Sequence, residues 1–125
     1  MVKSLTAIGI AIALLLGLSI FEWYFLDNEF QDFGEELTIL YDKTENGTAS
    51  GEDARIVQTR WERRRDRLHV WIPHNDIARM DELMAETVEL IAEKEYVLAL
   101  PKIEVLIHMS ECLPDTYKPN AANIF

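Results

Sequence analysis

From Ser4 to Phe21 no position is charged, and the run LTAIGIAIALLLGLSIF is dominated by Leu, Ile and Ala. As a helix these 18 residues rise about 27 Å, close to the roughly 30 Å hydrocarbon layer of a bilayer. The pattern predicts a membrane-spanning helix, and Trp23, Tyr24 and Phe25 follow where an aromatic belt would meet the headgroups. A cleaved secretory signal competes, because Lys3 gives a positive start and Gly17-Leu18-Ser19 offers small residues for cleavage. The run is longer than the usual signal core of about 7 to 15 residues, which favours a retained signal-anchor. Lys3 lies on one side of the span and Glu22, Asp27, Glu29 and Asp32 on the other. This asymmetry puts the N-terminus in the cytoplasm and the C-terminal domain outside, on the vote of one Lys.

Beyond the span the spacing changes from continuous to periodic. Leu26, Phe30, Phe33, Leu37 and Leu40 make one helical stripe, and no proline or turn cluster separates them from the anchor. A continuous rod and a mild bend at Asp27-Asn28 fit equally well. Asn46 to Gly51 is a loop by its Asn-Gly and Ser-Gly content, with Gly47 suited to closing the helix and Ser50 with Asp53 to opening the next. The second stripe is Val57, Trp61, Arg64, Leu68 and Trp71, ended by Pro73. Asn75 can cap a third helix with Ile77, Met80, Met84, Val88 and Ile91 on one face, broken at Glu93-Lys94-Glu95. A fourth segment, Tyr96 to Leu113, is apolar on several faces and is expected to be the most buried, with Pro101 kinking it or marking its first turn. Short connections imply antiparallel packing. The expected fold is all-α: an N-terminal transmembrane helix (1–26) continuing into a three- or four-helix bundle (27–113), then an extended tail (114–125).

Composition narrows the function. Of 125 residues 22 are acidic and 12 basic, and residues 22–125 alone carry a charge of −11. Nucleic-acid binding is disfavoured, because phosphate backbones are held by excess Lys and Arg. With one cysteine and three histidines the chain builds neither an internal disulfide nor a Cys-rich zinc module.

Candidate chemistry is sparse. Arg55, Arg60, Arg63, Arg64, Arg65 and Arg67 place half of the basic residues within 13 positions. They form a patch for an anionic partner or headgroups, or they pair with acids on neighbouring helices. His108 and Glu111 share a helical face, and His74 lies at an interhelix break from which it can approach them. Those three could hold a divalent metal, although bundle metal sites usually repeat such a pair. Trp61 and Trp71 could line an aromatic pocket, with core packing the plainer role. Ser110 has no glycine elbow, Cys112 has no clear base, and no glycine loop cradles phosphate, so no enzyme and no cofactor is expected.

Trp61 in a basic helix, the stretch Trp71-Ile72-Pro73-His74-Asn75-Asp76-Ile77, the helix Leu83 to Ile91, Leu106-Ile107-His108 and the terminal Asn123-Ile124-Phe125 together resemble a bacterial family known as domain of unknown function 4363. Such proteins are of this length, carry an N-terminal anchor and are common in endospore-forming Firmicutes. The resemblance is strongest over 57–125. Pro73 stands where the family often has an acid, and Pro101 falls inside a usually uninterrupted helix. It implies a membrane-anchored helical protein without assigned activity, in which a role in sporulation is an expectation from the family's hosts alone. It also draws attention to His74, His108 and the terminal Asn-Ile-Phe. The expectation is a non-enzymatic accessory protein in the cell membrane, contacting a membrane-protein partner through the Arg cluster or Asn123, Ile124 and Phe125. A homo-oligomer is compatible with it. The alternative is a ligand- or metal-sensing domain using His74, His108 and Glu111.

Overall fold

The computed structural model describes residues 1–117, which form four α-helices: α1 (Val2–Glu45), α2 (Gly51–Leu68), α3 (His74–Ala92) and α4 (Tyr96–Tyr117). They pack up-down-up-down, with α1 against α2 and α4, and α3 closing the square between those two. The expected all-α bundle is therefore a four-helix one, and the anchor and first stripe are a single unbroken helix. Its apolar N-terminal half, residues 2–21, is exposed throughout, while Leu26, Phe30, Phe33, Leu37, Leu40 and Thr44 are buried. One helix thus has two segments of different character, one exposed and apolar and one packed into the bundle.

The core follows the sequence stripes with instructive departures. In α2 the buried face is Ala54, Val57, Trp61, Arg64 and Leu68. The helix stops at Leu68, so Trp71, expected at its end, lies instead in the turn to α3 and is 37% exposed. Ile72 takes the core position, because the chain has begun to reverse before Pro73. Pro73, not Asn75, is the N-cap of α3, and no side chain caps that end. In α3 the buried threonine is Thr87, whose hydroxyl donates to the Leu83 carbonyl at 2.8 Å, while the expected Val88 is only half-buried.

In α4 one stripe is buried (Ala99, Ile103, Leu106, Ser110 and Leu113), while Val97 and Leu98 are exposed. The segment is apolar on several faces as read, but only one of them is buried. The extended tail expected from Pro114 is corrected: α4 runs through Pro114 to Tyr117. A proline in a helix forfeits one amide bond, at about 3 kcal/mol. Here its ring is buried beside Leu113, which offsets part of that cost. Pro101, near the start of the same helix, leaves the carbonyl of exposed Val97 to solvent.

The turns show how reversals are fixed. At the end of α1, Gly47 takes φ +72°, and the Gly47 and Thr48 amides donate to the Thr44 and Lys43 carbonyls. Ser50 Oγ then accepts from the Asp53 amide at 3.1 Å, and Asp53 accepts from the Ser50 amide at 3.0 Å. After α3 the same closing bonds run from Lys94 and Glu95 to Ile91 and Leu90, but with Lys94 at φ 61° where glycine is strain-free.

Two predictions come from these turns. Lys94→Gly stabilises the protein by about 1 kcal/mol in urea denaturation, because it relieves the left-handed backbone. The Ser50 backbone hydrogen bond, aided by Lys43, holds the Asp53 carboxyl below its usual range. Folding lowers this group's pKa, so its contribution is full above the ordinary carboxylate range and fades as pH falls through the lowered value. Asp53→Ala therefore costs about 1 kcal/mol at neutral pH, and the gap to wild type closes under acid conditions.

Candidate functional site

Helix α2 carries half of the basic side chains, and the fold divides them. Arg64, on the buried stripe, reaches across to α1: Nη1 and Nη2 donate to the two carboxylate oxygens of Glu36 at 2.7 and 2.9 Å, and Nε lies 3.3 Å from Glu29. Its guanidinium also sits 5.8 Å from the centre of the Phe33 ring. The hydrogen bonds to Glu36 push the Arg64 pKa still higher, against the opposing effect of burial. Arg60 pairs with Glu36 at 3.4 Å and Arg67 with Glu29 at 3.3 Å. Arg65 turns the other way, to Asp81 of α3 at 3.1 Å. Asp81 also accepts from Trp61 Nε1 at 2.7 Å, and the Trp61 ring leans on Phe33 with centroids 5.0 Å apart.

Four of the five arginines proposed as partner contacts thus act as cross-links within the bundle: Arg60, Arg64, Arg65 and Arg67. Arg63 has no acidic partner among the described residues, and with Arg55 it lines an open strip of α2 beside Glu52, Ile56, Thr59 and Arg60. The remaining candidates, Asn123, Ile124 and Phe125, lie outside the described residues.

The histidine and carboxylate set expected from sequence is not brought together. His74 opens α3 at the α2–α3 turn, whereas His108 and Glu111 are on α4, and all three are exposed. Among the described residues no group of three His, Cys, Asp or Glu side chains is placed to hold a metal. The shared face of His108 and Glu111 is real, but His108 turns to the next turn of its own helix, 3.5 Å from the Cys112 sulfur. His69 Nδ1 donates to the Asp66 carbonyl at 2.7 Å, a partner the sequence did not name. Trp61 and Trp71 do not form a pocket, since one is in the core and the other in a turn. Met80 and Met84 are core filler.

Sequence reasoning missed a groove of about 740 Å³ between α1 and α4. Asp27, Gln31 and Glu35 line one wall, and Ile107, Glu111 and Asp115 the other. Gly34 lets the helices close at its floor, where an added Cβ would stand 3.0 Å from Ser110 Oγ. No family model, curated protein or solved structure matches the chain.

Replacing Arg64 by Ala leaves Glu29 and Glu36 packed against the bundle without their main counter-ion. The expected loss is about 3 kcal/mol. Arg63→Ala, on the open strip, changes stability by less than about 0.5 kcal/mol. Paired denaturation curves check both values.

Proposed function

We propose that this chain is a single-pass membrane protein whose helical bundle stands outside the cytoplasmic face and docks, without catalysing a reaction, onto another membrane protein. The observation that carries the proposal is α1 itself. It is long and apolar enough to cross a membrane, none of its apolar window is buried by the rest of the chain, and it passes without a break into the bundle. A side chain such as Leu14 or Leu16, 69% and 60% exposed, needs an apolar solvent. Orientation with the N-terminus inside is the reading that Lys3, the one basic side chain before the span, supports. Membership of domain of unknown function 4363, and with it a setting in the membranes of spore-forming bacteria, is part of the same proposal and rests only on the residues named for the resemblance above.

For the docking face the open strip of α2 is the best supported surface. Arg55 and Arg63 present fixed positive charge on a protein that is otherwise strongly acidic. Charge of that kind steers an acidic partner more than it adds affinity. A photo-cross-linking residue placed at Arg63 of the full chain, in native membranes, is expected to capture one multi-pass protein in stoichiometric yield. Arg55→Glu combined with the probe at position 63 should slow and weaken the capture at low ionic strength. A chain that links to nothing, or only to itself, contradicts the proposal.

A further inference from the structure

The ion pairs between α1 and α2 fix how far each reaches toward the membrane. Lys43 with Asp53, Arg60 with Glu36 and Arg67 with Glu29 step along the two helices in one antiparallel register. Continued past Arg67, that register brings Val70 and Trp71 level with Leu26 and Phe25. The α3 side agrees, because Asp81 receives both Trp61 and Arg65, which sets the apex of the reversal at Trp71-Ile72. The backbone keeps a helical course to that apex, with the Trp71 and Ile72 amides both donating to the Leu68 carbonyl.

At this apex the side chains divide. Ile72 is buried in the core, while Val70 is 70% exposed and Trp71 37% exposed. By the same register they lie within about one helical turn of Trp23 and Tyr24, which are 40% and 60% exposed on α1. An exposed Val-Trp pair at the membrane end of a bundle, beside an aromatic belt, is placed where indole rings partition best, with an apolar body below and a polar edge above.

We propose that the α2–α3 turn is a second membrane contact, with Val70 and Trp71 seated in the interfacial layer of the bilayer that α1 crosses. This rests on α1 being a span. The lipid it fits has a neutral headgroup: Asp66 and Asp76 flank the turn, and the nearest arginine, Arg67, is engaged by Glu29. Neighbouring helices stand about 8 to 10 Å apart. Attachment at α1 and at the turn therefore fixes the bundle's rotation about α1, and with it the direction in which the strip at Arg55 and Arg63 faces.

The test is nitroxide depth measurement by power-saturation electron paramagnetic resonance on the full chain in phosphatidylcholine vesicles. A Cys112→Ser background carries single cysteines from Ile12→Cys, Val70→Cys or Thr48→Cys. The expected result is a label at 12 deep in hydrocarbon, a label at 70 within about 5 to 10 Å of the headgroup–acyl boundary, and a label at 48 in water. If 12 is deep but 70 is as accessible to aqueous nickel as 48, the turn contact is wrong while the span stands. If 12 is itself aqueous, the span fails and the turn contact with it. A label at 48 as deep as that at 70 means a bundle lying on its side, which also overturns the proposal.

Discussion

The bundle is organised around one guanidinium. Arg64 is the one charged residue buried among the described residues, and it is satisfied from α1 alone, by a two-pronged bond to Glu36 and a contact with Glu29. A buried charge without partners would be prohibitively costly, so the pairing specifies which face of α2 meets α1 and at what height. Neighbouring contacts depend on that choice. With Arg64 seated over Phe33, Trp61 stacks on the same ring, and its indole N–H points to Asp81 of α3. The chain of contacts from α1 through α2 to α3 is thus polar and directional. The α1–α4 side relies on close packing at Gly34 and on the edge bond from Tyr41 to Glu104 at 3.0 Å, which pushes the phenol pKa up.

Because α1 is continuous, what fixes the bundle to α1 also fixes it to the apolar segment. Such a helix transmits orientation, since a rod without a hinge cannot turn its lower half without turning its upper half. The ion-pair register then determines which parts of the domain come near the level of Trp23 and Tyr24. Charge within the bundle thereby sets the height and heading of every surface that could meet another molecule.

Much of this could be read from the sequence because it is local. The two solvent regimes of α1, the closing role of Gly47, the Ser50–Asp53 cap and an arginine within the second stripe are all set by residues within a few positions of one another. Long-range choices were not legible. Nothing near Arg64 in sequence reveals that its acceptors are Glu29 and Glu36, because they meet it only after the first reversal. Trp71 has the right spacing for α2, yet the helix ends at Leu68, three residues short of it, and Ile72 fills the core. Pro114 carries a strong local signal to stop, which is overridden by burial of its ring and of Leu113. His74, His108 and Glu111 shared a chemical type, but their separation depends on the directions of two helices.

The central claim is that α1 crosses the membrane and holds the bundle on the far side from the cytoplasm. The most direct measurement uses the chain's one cysteine, Cys112, exposed on α4. Intact cells are treated with a membrane-impermeant maleimide, and their membranes are then washed at alkaline pH. The account predicts labelling of Cys112 before permeabilisation and retention of the protein in the washed membrane. Labelling only after permeabilisation, or release of the protein by the wash, would contradict it.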